Sequence, residues 1–153
     1  MIEEISKKIL NFNEKAANFI VDEVVEPIKD TKQNYKFGKL TVVNDQRGNP
    51  TNAADLAHHI IKLLDTEEYG VYDGTGAGEC SWYDFAVEIV KKANIDAEVI
   101  PCTSTEYAAA HPDAADRPKY SSLDNRMLRV TVGDEFREWK SALNCFMKNA
   151  SIN

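Results

Sequence analysis

A short polar turn between an apolar strand and an amphipathic helix constrains this chain more than any other feature. The turn, residues 45–51, reads Asp-Gln-Arg-Gly-Asn-Pro-Thr, and its Gly-Asn-Pro cluster favours an abrupt change of backbone direction. It follows the apolar run 39–43 and precedes residues 53–64, whose apolar side chains recur with the period of a helix. The sequence therefore predicts a strand, a rigid polar turn and a helix in immediate succession.

Two groups of polar side chains are candidates for ligand binding. The turn would expose three polar side chains, those of Gln46, Arg47 and Asn49. Their amide and guanidinium groups can donate hydrogen bonds to a sugar nucleotide. Arg117 and Lys119 flank a proline in an irregular stretch. The planar guanidinium of Arg117 and the compact ammonium of Lys119 could bind an anion such as a diphosphate. Taken from the residues alone, the turn favours a polar strand-to-helix connection, and the stretch with Arg117 and Lys119 is equally compatible with an exposed loop.

The charge and cysteine content exclude several classes of function. The 153 residues carry a formal net charge of −7, which opposes general binding to nucleic acid or to anionic membranes. The three cysteines, Cys80, Cys102 and Cys145, form no C-x-x-C pair, so we expect neither a disulfide framework nor a zinc site. No stretch approaches the ~20 apolar residues of a membrane span, and the start has no signal-peptide pattern. We expect a cytoplasmic protein.

The remaining periodicity predicts a mixed α/β fold with few strands. Because helices separate the strands, we expect parallel pairing in a small sheet flanked by helices. Thr51 or Asn52 can cap the first of these helices, Ser81 the next and Asp134 the last. The predicted strands are 39–43, 70–73 and 97–100, and the predicted helices are 53–64, 82–93 and 135–148, with one helical turn near 103–107.

The first part of the chain is predicted to be a separate helix. Apolar residues recur at steps of three and four over residues 2–26, a near-heptad stripe. We therefore divide the chain into an N-terminal amphipathic helix, 1–30, and a compact lobe, 31–153. The stripe can pack on its own lobe or pair two copies of the chain.

Two further motifs favour structural interpretations. The glycine-rich loop 74–78 has neither the G-x-G-x-x-G nor the G-K-[ST] spacing of a phosphate loop, so we predict a permissive turn. Trp82 and Tyr83 begin a helix and could stack on a base or sugar, but we expect them to pack in the core, where aromatic side chains usually lie.

The order of three motifs resembles the C-terminal, sugar-nucleotide-binding part of dTDP-4-dehydrorhamnose reductases, which are extended short-chain dehydrogenases. The motifs are Asp-Gln-Arg-Gly-Asn-Pro-Thr at 45–51, Gly-Glu-Cys-Ser-Trp-Tyr-Asp-Phe-Ala at 78–86 and Ala-Asp-Arg-Pro-Lys-Tyr-Ser at 115–121. The resemblance implies that Gln46, Arg47, Asn49, Arg117 and Lys119 bind a dTDP-sugar. It makes Arg117 the foremost candidate for contact with the diphosphate.

The family uses NADPH and a catalytic Tyr-x-x-x-Lys pair. The resemblance does not include the segments that would supply them. The formal match Tyr35…Lys39 runs into a glycine and a predicted strand, whereas the pair needs one helix face. We therefore expect no catalytic residue, no metal and no bound NADPH on this chain. It would act with a cofactor-binding partner chain. The alternative is a non-catalytic sugar-nucleotide-binding or oligomerising scaffold domain.

Overall fold

The computed structural model describes residues 38–113 and 115–149. The predicted helix 2–26, and with it the proposed unit 1–30, lies outside the described residues. Nine elements follow in chain order, and the predicted α/β class with a small sheet and flanking helices is confirmed. They are β1 (Gly38–Val43), β2 (Arg47–Gly48), α1 (Ala53–Leu64), β3 (Cys80–Ser81), α2 (Trp82–Lys92), β4 (Ala97–Cys102), α3 (Ser104–Ala110), α4 (Arg126–Thr131) and α5 (Trp139–Asn149).

Two pairs of strands form the sheet structure of the described chain. β1 and β4 pair in parallel from Gly38 opposite Ala97 to Val43 opposite Cys102, as expected for strands separated by helices. β2 and β3 form a second, antiparallel pair. Since β1 and β4 run in the same direction, their carboxyl ends meet at one edge. The polar turn 45–51 leaves the sheet there, beside the start of α3.

Side-chain caps fix where three helices begin. Asn52 accepts a hydrogen bond from the Ala54 amide, so α1 has the predicted bounds. Ser81 and Asp84 form a reciprocal capping box at the start of α2. A second such box, made by Thr103 and Glu106, extends the predicted single turn at 103–107 into the two-turn helix α3.

The last helix begins later than predicted. Asp134 accepts from the Phe136 amide and from Asn125, but residues 135–138 do not continue as a helix. The chain then stays extended and bonds the glycine loop, with the Ala77 amide donating to the Arg137 carbonyl at 3.0 Å. α5 therefore begins at Trp139. The short helix α4, which no sequence pattern predicted, is anchored by the buried Leu128.

The core lies between α2, β3 and α5. Cys80, Ile89, Trp139, Leu143 and Met147 form one buried cluster. The ring of Phe85 meets that of Trp139 edge to face, with centroids 5.9 Å apart, a preferred aromatic geometry. The helices that carry these residues therefore hold β3 in place from one side.

The predicted strand at 70–73 is wrong for the described chain. These residues adopt no strand, and Val71 is 90% exposed. A strand needs a neighbouring backbone to complete its hydrogen bonds. Within residues 38–113 and 115–149 none pairs with this segment. The apolar, β-prone composition was recognised correctly, but it predicts a capacity to pair and not the presence of a partner.

A buried polar network docks α1 on the segment before α5. His59 is fully buried, with Nδ1 2.7 Å from the Asp55 carbonyl oxygen and Nε2 accepting from the Glu135 amide at 3.0 Å. Its ring stacks on Phe136 at 4.1 Å. Arg137 binds both carboxylate oxygens of Asp55, the bidentate geometry that makes such pairs specific. These contacts fix α1 through its polar face.

One glycine is required by close backbone contact and gives the first prediction. A Cβ at Gly76 would lie 2.2 Å from the Pro50 carbonyl oxygen, so the Gly76→Ala chain must separate the glycine loop from the turn. We expect a loss of about 1–3 kcal/mol in the free energy of unfolding, measured by urea denaturation. Gly70→Ala is the control, since its Cβ would meet only the Tyr72 ring at 3.6 Å. Equal stability of the two variants would contradict this account.

Candidate ligand-binding site

The two candidate motifs of the sequence meet side by side. β2 lies between β3, where Arg47 is opposite Ser81, and an extended segment in which Tyr120 forms a parallel bridge to Arg47. The Arg47 amide donates to the Lys119 carbonyl at 2.8 Å, and the Ser121 amide donates to the Arg47 carbonyl at 2.9 Å. Main-chain hydrogen bonds thus bring residues separated by more than 70 positions into a narrow three-segment ladder.

Glu79 joins the side chains on this ladder. One of its carboxylate oxygens accepts from Arg47 Nε at 3.2 Å and the other from the Tyr120 hydroxyl at 2.7 Å. The Tyr120 hydrogen bond, followed by the hydrogen bond and charge of Arg47, lowers the pKa of Glu79 below its usual range. Glu79 therefore remains ionised at neutral pH and holds the Arg47 guanidinium at an exposed position.

Gln46 and its neighbour Asp45 turn toward the start of α3. The Ser104 amide and hydroxyl donate to Asp45 Oδ1 at 2.8 and 2.6 Å, while Gln46 Nε2 donates to the Ser104 hydroxyl at 3.1 Å. The Ser104 hydroxyl is the main cause that lowers the pKa of Asp45. Gln46 is half-buried, so it lines the site and also helps to hold its wall.

Both polar atoms of the Asn49 side chain form hydrogen bonds within the protein. Its Nδ2 donates to the Gly78 carbonyl at 2.8 Å, and its Oδ1 accepts from the Ser122 hydroxyl at 2.7 Å and from the Leu123 amide at 3.0 Å. One side chain thus fastens the turn to both neighbouring segments of the ladder. This gives Asn49 a structural role that the sequence did not reveal.

Arg117 and Lys119 lie on the exposed side of the same ladder. Both are exposed, and Lys119 makes a long ion pair of 3.8 Å with Asp45. Arg117 is two residues before Lys119, whose carbonyl bonds Arg47, so its backbone lies within about 7 Å of the ladder. No acidic side chain among the described residues pairs with Arg117. The structure thus brings the backbones of three of the five candidate residues, Arg47, Arg117 and Lys119, together at one ladder.

The described residues show no nucleophile or metal cluster at this place. Burial raises the pKa of the Cys80 thiol to about 11, so the thiol is protonated at neutral pH. Its side chain also lies in the core. Among residues 38–113 and 115–149 no group of three His, Cys, Asp or Glu side chains could hold a metal ion.

The glycine loop 74–78 does not fit the pyrophosphate of a dinucleotide cofactor. The buried Gly76 already lies against Pro50 and donates its amide to the Thr51 hydroxyl at 3.0 Å. A Cβ at Gly78 would meet the Trp139 ring at 3.2 Å. Protein atoms thus occupy the space around these glycines, and the prediction of a permissive turn agrees with their packing role. No step of a cofactor reaction is assigned to this loop.

Sequence reasoning missed the residues that connect the site. Glu79 and Tyr120 both lie in the recognised motifs, yet only the pairing of their segments brings them together. Trp82 was expected in the core, and this expectation is wrong because the indole is 55% exposed at the start of α2. Trp139, which is 6% exposed, fills the core position instead. A pattern of apolar residues cannot decide which of two tryptophans a core has room for.

Comparisons with known proteins agree with the motifs. The sequence model described as "RmlD substrate binding domain" matches residues 20–152. The chain is 34% identical over 135 residues to the spore coat polysaccharide biosynthesis protein SpsK of Bacillus subtilis, covering 88% of this chain and 43% of that protein. It is 35% identical over 112 residues to a dTDP-4-dehydrorhamnose reductase of Aggregatibacter actinomycetemcomitans, covering 68% and 38%. The chain spans less than half the length of these relatives.

Solved structures show the same fold. A dTDP-4-dehydrorhamnose reductase from Clostridium acetobutylicum superposes with a TM-score of 0.72 at 42% identity, covering 84% of this chain and 44% of that one. The corresponding enzyme from Bacillus anthracis, solved in complex with NADP, gives a TM-score of 0.70 at 35% identity, with coverage of 82% and 43%. In both cases the similarity covers most of this chain and a minor part of the other.

The role of Asn49 gives the second prediction. Asn49→Ala removes three hydrogen bonds and leaves the Gly78 carbonyl without this donor, so we expect a loss of about 1–3 kcal/mol in the free energy of unfolding. Asn144→Ala, at an exposed helical position, should change it by no more than about 0.5 kcal/mol. Urea denaturation in the absence of ligand measures both. An Asn49→Ala chain as stable as the wild type would leave ligand binding as its main role.

Proposed function

Because this chain belongs to the RmlD substrate binding domain family, we propose that it is the substrate-binding part of a dTDP-4-dehydrorhamnose reductase-like protein and binds a dTDP-sugar. The observation that carries the proposal is the convergence of Arg47, Arg117 and Lys119 on one ladder. A dTDP-sugar carries a diphosphate between a base and a sugar, so it needs a local cation cluster. This chain supplies one despite its net charge of −7.

Each of the three cations has its own role in the proposed binding. Arg117 is the primary contact for the diphosphate, because a guanidinium can donate two parallel hydrogen bonds to phosphate oxygens. Lys119 adds a point charge that Asp45 engages only at 3.8 Å, so little must be broken for it to turn to the ligand. Arg47 is fixed through Nε by Glu79 and can direct its remaining N–H groups outward.

Reduction of the sugar would lie outside this chain. Hydride transfer requires a bound nicotinamide, whose chemistry the cofactor supplies. The glycine loop does not fit such a cofactor, and the described residues offer no proton donor of the Tyr-x-x-x-Lys type. The contribution of this chain is to bind and orient the substrate. All three cysteines are free, which suits a reducing compartment, and we place the protein in the cytoplasm. No helix of the described residues is long and apolar enough to cross a bilayer.

Calorimetric titration with dTDP-rhamnose tests the proposal. We expect micromolar binding to the wild-type chain and a loss of about tenfold or more in Arg117→Ala, since a charge-assisted phosphate contact contributes about 1.5–3 kcal/mol. Lys91→Ala is the matched control, because it removes the same charge near the far end of α2. Absence of binding at millimolar ligand, or equal affinity of the two variants, would refute the proposal.

A second proposal concerns a partner chain. α1 exposes an apolar stripe at steps of four, formed by Leu56, Ile60 and Leu64, which would run for about 12 Å along the helix. The segment after α1 returns along it, since a Cβ at Gly74 would lie 3.2 Å from Leu56 Cδ1. Val71, on the same segment, is also exposed.

We infer that this surface receives a cofactor-binding chain. A contiguous exposed apolar surface of this kind is typical of a protein interface. Beside it, segment 70–73, which pairs with no other strand among the described residues, offers backbone groups that a strand of a sheet edge can complete. A partner with a nucleotide-binding sheet satisfies both demands.

Co-expression with the cofactor-binding half of the Clostridium acetobutylicum reductase tests this partner. We expect the two chains to co-purify, and Ile60→Asp to abolish the association because it buries a charge in the apolar stripe. Val130→Asp is the control, as it changes an exposed apolar residue on α4. Co-purification that resists Ile60→Asp would contradict the assigned surface. A complex of two identical chains, detected by light scattering and lost in Ile60→Asp, would replace the partner by self-association.

A further inference from the structure

Trp82 is an exposed indole held at a fixed position. It is 55% exposed, whereas the chain's other tryptophan, Trp139, is 6% exposed. Its backbone is the first residue of α2, directly after the Ser81 and Asp84 capping box, which defines the direction of the helix start. A large aromatic surface that is presented to solvent on a rigid element is suited to a contact outside the chain.

The backbone of Trp82 directly follows the β3 edge of the ladder. Ser81 lies opposite Arg47 in the β2–β3 pair, so Trp82 is one residue beyond the strand partner of Arg47. On the other edge of β2, Tyr120 bridges Arg47 and is 62% exposed. Arg47 therefore has an exposed aromatic residue on each flanking segment. Tyr120 is bound to Glu79 through its hydroxyl, which leaves Trp82 as the aromatic ring less constrained by hydrogen bonds.

We propose that Trp82 stacks on the base of the bound nucleotide while the cations of the ladder hold its diphosphate. This inference rests on the proposed function and adds a recognition residue to it. A nucleotide has an aromatic base joined through a sugar to its phosphates, and an aromatic side chain beside a cation cluster matches both parts. Stacking is tolerant of the identity of the base because every base has a π face. Trp82 thus contributes affinity, and selection among bases depends on other contacts.

Of the two tryptophans, only Trp82 is exposed enough to stack on a ligand. Trp139 packs with Phe85 and lies under the Lys140 ammonium in the core cluster. Since its ring is already covered, a ligand cannot reach it. Fluorescence changes on ligand binding would therefore report on Trp82, whose exposed indole should emit at a longer wavelength than the buried one.

The test compares two ligands in three chains. The ligands are dTDP, which has the base, and inorganic pyrophosphate, which has only the anion. The chains are the wild type, Trp82→Phe and Trp82→Ala. We expect Trp82→Ala to weaken dTDP binding on the order of 10–100-fold, the range for loss of one stacked base. Trp82→Phe, which keeps a π face, should retain affinity within a few fold. Pyrophosphate should bind all three chains alike.

A measurement on the wild-type chain makes the test independent of folding of the variants. We expect dTDP to quench the exposed tryptophan emission, and pyrophosphate to leave it unchanged. Equal dTDP affinity in Trp82→Ala and the wild type, or no quenching by dTDP, would overturn the stacking role while leaving the sugar-nucleotide site intact. Failure of the wild-type chain to bind either dTDP or dTDP-rhamnose would instead refute the proposed function and the stacking role together.

Discussion

The main-chain ladder centred on Arg47 is the interaction on which the rest of this structure depends. It joins β2 to β3 on one edge and to the segment through Tyr120 on the other. Each of these segments comes from a different part of the chain and is too short to form a stable sheet by itself. Asn49 reinforces the ladder by bonding both neighbours. Without this junction, the recognised motifs would be three unrelated surface loops.

The ladder also bears on how an acidic chain can bind an anion. An acidic chain repels anions at long range, yet a sugar nucleotide needs positive charge at its diphosphate. The fold brings the segment that carries Arg117 and Lys119 alongside Arg47, and we propose that these cations form a cluster that meets the diphosphate. The ionised Glu79 offsets part of the charge of Arg47, while its contacts with Nε and the Tyr120 hydroxyl fix the orientation of the guanidinium. The cluster is thus a product of strand pairing and not of composition.

Local signals predicted much of the secondary structure. The bounds of α1 were recovered because Asn52 caps a clear helical period, and Ser81 marks the start of α2 for the same reason. The strand predicted at 70–73 was wrong because a strand depends on a partner that local sequence does not contain. α5 begins later than predicted because the residues before it stay extended and bond the glycine loop. Family motifs identified the candidate cations, whereas the roles of Asn49, Glu79 and Trp82 depend on contacts between distant segments.

The central claim is that the ladder binds a sugar nucleotide without any cofactor-binding half. The most direct test follows the backbone amide signals of the full chain by nuclear magnetic resonance while dTDP-rhamnose is added. We predict that the largest shifts fall on residues 46–48, 79–82 and 117–121, and that the amides of α1 and of 134–137 change little. Shifts concentrated on α1 and residues 69–73, or absent throughout, would contradict the account.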